Sequence, residues 1–488
     1  MSRLIKNELI KIFKKKTIYI TMLLVFLLII FMNIIIKASS NSYSSAYMYS
    51  ESYMNSLKEE LSELNPENPS DITLYINLKS EIELNELMYK YKDSEWKLSV
   101  INERIAPYIT EKNNYMYGES KDENQVTKIN NKIDELMTKI NDDDWEYFAK
   151  EDLENANKTI EDLNFKKSQT VDSEILKSLN SEIENAKIDK EIASLRLEKK
   201  IPYGSDYLNT AIMTYKSSSS TIIEYDNVEN RELEYEEQKQ YNKALENREE
   251  SKYIIQTGID VNKIDSLKFI LQNFYSQFGI FLIVVIIMIA GTIVSEEFNK
   301  GTIKLLLVKP YTRNKILASK FITTLIIIAF VIITTIIMQI LAGGILFGFD
   351  SLNLPVIAYN FNTNVLQEIN IFAYLGMQTL MQLPMIILLA TLAFAISTIF
   401  SNSAIAITIS LLGYMSSAII NQLIIGYNIS FMKYFVTMNW DLSQYLFGSL
   451  PNMQGMNMLM SIITCIIYLA IMLIPTFIIF KKRNIKNI

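Results

Sequence analysis

Between residues 295 and 320 the chain sets two adjacent carboxylates, a glycine–threonine break and six cations close together. They are Glu296 and Glu297, Gly301 and Thr302, and Lys300, Lys304, Lys309, Arg313, Lys315 and Lys320. Such groups can pair ions and dock a partner, but they hold no nucleophile–base pair. The chain contains no histidine. The usual general base near neutral pH and the commonest metal ligand are therefore both missing. Gly301 and Thr302 supply a tight break, Ile303 and Leu305 to Val308 a short apolar helix, and Lys309–Pro310 a stop. Together these predict a small amphipathic knob suited to receive a soluble protein.

The rest of the sequence adds no reactive centre. There is one cysteine, Cys465, inside an apolar run, so no intrachain disulfide can form. Asp142, Asp143 and Asp144 could attract calcium, but they lack the spacing and closing Glu of an EF-hand loop, and a solvated helix start is expected. No G-x-x-x-x-G-K-[ST] phosphate loop, G-x-S-x-G elbow, paired-cysteine metal site or basic–aromatic nucleic-acid stretch occurs. The chain is expected not to be an enzyme, to bind no metal or cofactor itself, and to have no nucleic-acid partner.

The elements that would position residues 295–320 are membrane spans. A span needs about 20 apolar residues. Six stretches qualify: 17–36, 278–294, 321–341, 371–399, 403–425 and 456–480. The fourth is long and holds Pro384, a candidate cause of a kink. The first is too long for a signal-peptide core and is read as a retained anchor. Before it, residues 1–16 carry Ile5, Leu9, Ile12 and Phe13 on one helical face and Arg3, Lys11, Lys14 and Lys15 on the other, which predicts an amphipathic interfacial helix.

Charge divides the chain. Residues 37–276 hold 47 acids and 30 bases, a net of −17, while the remainder holds 6 acids and 17 bases. Of those 17 bases, 16 fall before the first span, in 295–320 or in the basic tail 481–488; Lys433 alone falls elsewhere. The positive-inside rule then puts both termini and 295–320 in the cytoplasm, and 37–276, 342–370 and 426–455 outside a cell membrane. No Asp, Glu, Lys or Arg lies within the six stretches. Ion-driven carriers keep such groups, so any transport energy would enter from outside the bilayer.

Residues 37–276 read as a large, helical, coiled-coil-like extracellular domain. Seams at 3–4 spacing run through Leu84–Ile105, Val126–Ile140, Ala149–Leu163 and Leu176–Leu197. Breaks are expected at Pro66 and Pro69, Pro107, 141–144, Pro202–Gly204 and the serines 217–220, with a helix over 228–275 leading into the second span. The acidic excess is a solvated surface or an attractor of cationic peptides. The aromatics Tyr427, Phe431, Tyr434, Phe435, Trp440, Tyr445 and Phe447 predict interfacial or re-entrant helices in 426–455. Gln378, Gln382, Asn421 and Gln422 either bond helix to helix or line a substrate path. Ala406, Ser410, Gly413 and Ser417 form a small-residue stripe, either for packing within the chain or for a subunit seam. The fold class is thus an all-α membrane protein.

An amphipathic helix, one span, a large outer domain and five further spans, with Glu…Gly-Thr…Leu-Leu…Pro…Arg…Lys after the second span, resembles the permease subunits of ABC-2 type ABC transporters. The matching positions are Glu296 or Glu297, Gly301, Thr302, Leu305, Leu306, Pro310, Arg313 and Lys320. The resemblance implies that this loop is a coupling helix for an ATPase. It implies two ATPase subunits, which bind the ATP and Mg, and a second permease copy or homologue, all in membrane lipid. It implies export or flipping of a lipid, peptide, antibiotic or polymer, with spans two and five beside the path and a second ATPase contact at Phe400–Asn402. The alternative is a membrane-anchored extracellular scaffold or receptor, which would not need the 295–320 loop.

Overall fold

The computed structural model describes residues 1–40, 51–227, 232–303 and 310–483. They form two compact units, Met1–Asn41 with Val261–Ile488, and Ser42–Asp260.

Among the described residues of the first unit six helices are long and apolar enough to cross a membrane: Lys16–Ser39, Phe274–Thr292, Arg313–Phe347, Ile371–Phe400, Ser403–Gly426 and Met458–Lys482. They are called spans one to six below. Spans two and four form the centre, burying Phe278, Leu282, Ile286 and Ala290 against Leu389, Ala393 and Phe394. Span one packs on span three, and span six on spans three and four. Span four is helical straight through Pro384. Span three begins at Arg313 rather than 321, capped by the Thr312 hydroxyl, which accepts from the Lys315 amide. Residues 313–320 are therefore helix, not loop, and Lys320 lies on span three. This shortens the expected 295–320 connection.

The small-residue stripe packs inside the chain. Ala406 and Ser410 are fully buried and Ser417 nearly so. A Cβ added at Gly291 of span two would lie 3.0 Å from the Ile407 side chain. That close approach is what the small residues permit.

One connection departs from the sequence reading, and one carries the short helices expected of it. Within 342–370 the chain forms an antiparallel β-hairpin, Val356–Asn360 with Val365–Ile369, in the register Val356↔Ile369 to Asn360↔Val365. Asn364 takes a left-handed φ of 53° at its turn, a conformation Asn tolerates better than most residues. The 426–455 segment holds three short helical turns, Ser430–Tyr434, Val436–Asn439 and Leu442–Gly448.

The second unit is a set of antiparallel helices. Trp145–Gln169 packs along Ser173–Lys199, with Ile160 and Leu163 meeting Leu179, Ile183 and Ala186. Asp144 and Asp172 begin these helices by accepting backbone N–H bonds. Asp143 pairs with Lys97 at 2.9 Å, and no group able to hold a metal ion occurs among the described residues. Two expected breaks and one expected helix differ. The serines 217–220 lie inside Tyr207–Asp226, where Ser218 and Ser219 are buried and Ser220 donates to Asn185 at 2.6 Å. Small side chains let that helix pack closely, which outweighs serine's modest helix penalty. Pro107 falls in the first turn of Ala106–Tyr117, where it lacks no needed donor. It follows a π-helical turn, Ile101–Ile105, rather than a break. The helix expected over 228–275 runs only Tyr235–Thr257 and ends at Gly258, φ +66°. The Leu84–Ile105 seam is likewise split, one helix ending at Lys90 and the next starting at Glu95.

Candidate functional site

The 295–303 segment sits at the end of the bundle that carries the N-terminal helix, Ser2–Phe13. That helix buries Leu4, Glu8 and Ile12, with Ile5, Leu9 and Phe13 half-buried beside them. Its inward face is therefore apolar with one carboxylate in the middle.

Glu8 meets the ammonium of Lys320 at 2.7 Å. Lys320 is 1% exposed and also donates to the Ile293 carbonyl at 3.2 Å and lies 3.3 Å from Glu297 Oε1. Three acceptors match the three N–H groups of an ammonium. Glu297 Oε1 is shared with Lys11, and its Oε2 accepts the Thr302 hydroxyl. The result is an ionic knot, Glu8–Lys320–Glu297–Lys11, buried at its first three members and exposed at Lys11, joining the N-terminal helix, the end of span two and the start of span three. Burial pushes the Glu297 carboxyl up, but the Lys320 charge and the bonds from Lys11 and Thr302 outweigh it and hold the group at about 2. Beside it Glu296 pairs with Lys15 and, at 2.7 Å, with Lys300. Burial raises its carboxyl, and the hydrogen bonds from those two lysines bring it below the usual range.

The loop is pinned on both sides. Gly301 adopts φ +67° with nothing within 4 Å of a Cβ, so glycine serves conformation there and not space. Ile303 is fully buried in the bundle core. The Ser295 amide donates to Ser397 Oγ at 3.1 Å, near the end of span four. Arg483, past span six, stacks over Phe298 at 4.7 Å and donates to the Thr398 and Ile399 carbonyls at 2.9 and 3.2 Å. Arg313 in turn donates to the Arg483 and Lys481 carbonyls at 2.6 and 3.1 Å. The Phe400–Asn402 turn, with Ser401 at φ 56°, therefore lies at this same end of the bundle.

Of the residues singled out from the sequence, Glu296, Glu297, Gly301, Thr302, Arg313 and Lys320 come together here. Pro310 is exposed. Leu305 and Leu306 lie outside the described residues. Of the four polar residues read either as helix bonds or as a path, three are bonded within the chain. Gln378 donates to Tyr374 at 2.9 Å. Gln382 donates to Asp441 at 2.9 Å, and Asn421 exchanges bonds with Thr437, so both hold the 430–448 turns. Gln422 is exposed. Sequence reasoning missed Glu8, Arg483 and the fully buried pair Asn33–Gln339, which joins spans one and three at 3.1 Å. The available signal for Glu8 was a lone acid on an apolar helical face.

The architecture defines a multi-pass helical membrane protein with a separate helical unit. The chain belongs to a family described as a protein of unknown function, DUF2705, whose profile matches residues 241–486. It is similar to the uncharacterized protein YhcI of Bacillus subtilis, 34% identical over 215 residues, 44% of this chain and 67% of the relative. It is also similar to the uncharacterized membrane protein YdbK of the same organism, 28% identical over 238 residues, 48% of this chain and 87% of the relative. No solved structure matches.

Proposed function

We propose that this chain is the permease subunit of an ABC-2 type exporter, working with a separate ATPase that docks on the 295–320 segment. One observation carries the reading: the loop after span two is tied by a largely buried ionic knot to both the N-terminal helix and span three. A surface loop that only connected two spans would need no such anchoring. A loop that receives force from a partner needs it, because a slack lever transmits nothing. ATP-driven closure of the ATPase dimer would move the loop, and the knot would carry that motion to spans two and three as a rigid body.

The positive-inside charge pattern supports placing this end, with both termini, in the cytoplasm and residues 37–276 outside. Glu296 and Glu297 then serve to hold the loop, since their partners are within the chain. Among the described residues of the segment, Asn299, Lys300, Gly301, Pro310, Thr312, Asn314 and Lys315 are exposed and open to the ATPase. Purification of the tagged chain from mild-detergent membranes tests this. A stoichiometric ATPase with a phosphate loop, lost on Gly301→Val, is expected. Recovery of the chain with wall or secreted proteins and no ATPase would favour a membrane-anchored scaffold.

A further inference from the structure

A groove of about 220 Å³ runs between the joint of the N-terminal helix with span one and the lower part of span two. Its walls are apolar: Ile12 and Ile18 on one side, Val285 and Ile289 on the other. The lining threonines Thr21 and Thr292 donate their hydroxyls to the Thr17 and Met288 carbonyls at 2.9 Å each, within their own helices. Both hydroxyls are thus satisfied within their own helices. At one end stand Lys15 and Glu296. The volume is below the roughly 300–1,000 Å³ of pockets that enclose compact small molecules, but it suits a length of a single hydrocarbon chain.

At the mouth Lys15 pairs with Glu296, the one carboxylate among the described lining residues, which Lys300 also shares. Lys14 and Lys16, the sequence neighbours of Lys15, are exposed, and neither pairs with a carboxylate among the described residues. An apolar slot that opens on uncompensated lysines matches a lipid with a negative headgroup. We propose that the groove holds one acyl chain of an anionic phospholipid, with its phosphate against Lys14 and Lys16. The lipid would wedge beside the Lys15–Glu296 pair, next to the ionic knot. This inference rests on the membrane placement of the helices and not on the transporter reading.

The test is native mass spectrometry of the delipidated full-length chain, titrated with phosphatidylglycerol or with phosphatidylcholine of the same chain length. One phosphatidylglycerol is expected to be retained at a concentration roughly 25-fold lower than phosphatidylcholine. Each lysine near an anionic headgroup strengthens binding about fivefold, so Lys14→Ala with Lys16→Ala should erase the preference between the two lipids. Thr21→Trp, or Thr292→Trp from the opposite wall, should weaken both lipids. Cys465, the only cysteine and buried, stays unlabelled by thiol reagents in variants that fold. Equal retention of the two lipids, or retention unchanged by both tryptophan variants, overturns the proposal. Displacement of the lipid by inorganic phosphate would instead assign a bare anion site. A disulfide-linked dimer of Thr21→Cys in membranes would assign the groove to a second copy of the chain.

Discussion

Replacing Lys320 with methionine nearly keeps the volume of the side chain, shortens it by one atom and removes its charge. The ammonium lies 2.7 Å from Glu8 and 3.3 Å from Glu297 and is almost fully buried. At an effective dielectric of about 20, the attractions are about 6 and 5 kcal/mol. Desolvation offsets several kcal/mol of this for each ion. Removing one partner of such a buried set is expected to cost about 3–5 kcal/mol, because the orphaned charge stays buried. Glu297 retains Lys11 and Thr302, whereas Glu8 has Lys320 as its recorded partner. Most of the loss should therefore come from Glu8, and Glu8→Gln in the Lys320→Met background should restore more than half of it. Thermal unfolding followed by thiol labelling of Cys465 reads the membrane unit alone, since the only cysteine is buried there. At roughly 2–4 °C per kcal/mol, the single variant should melt about 10 °C lower. A fall of under about 2 °C, or a double variant no better than the single, would refute the account of the knot.

Three further outcomes follow from named contacts. Glu297 is held at about 2 against an ordinary 4.5, so its folded form binds the proton less readily than the unfolded chain. That contribution, roughly 3 kcal/mol, is complete above about pH 4.5 and is lost as pH falls toward 2; Glu297→Gln should flatten the acid limb of the melting curve, and an unchanged limb would count against it. Gly301→Ala should cost about 1–2 kcal/mol from the left-handed backbone alone, with no steric loss, while Gly301→Asn should cost less; equal effects in denaturant titration would contradict this. Gln339→Leu should lower stability by about 0.6–2 kcal/mol through loss of its bond to Asn33, with Asn33→Leu adding little on top; additive losses would show that the two amides act separately.

The six spans were legible because an apolar run of membrane length is a local pattern, and the hydropathy of 17–36 or 403–425 carries it without context. The start of span three was not, since Arg313 and Lys315 interrupt the apolar run while Thr312 still caps a helix there. The serines 217–220 read as a break between helices, yet packing beside Asn185 keeps them helical. The hairpin at 356–369 is two short strands whose alternation is easily lost between long apolar helices. The loop's own residues were found from spacing. The partner Glu8 was not, because Glu8 and Lys320 stand 312 residues apart and no local periodicity links them.

The central claim is that an ATPase docks on the segment after span two. The direct measurement places a single cysteine at exposed Asn299, in a Cys465→Ala background, and treats native membranes with a short bifunctional crosslinker. A matched cysteine at exposed Tyr427, at the other end of span five, serves as the comparison. The account predicts that Asn299→Cys links to a phosphate-loop ATPase, that ATP analogues alter the yield, and that Tyr427→Cys gives no such product. An ATPase that co-purifies yet links equally from both positions, or from neither, would contradict it.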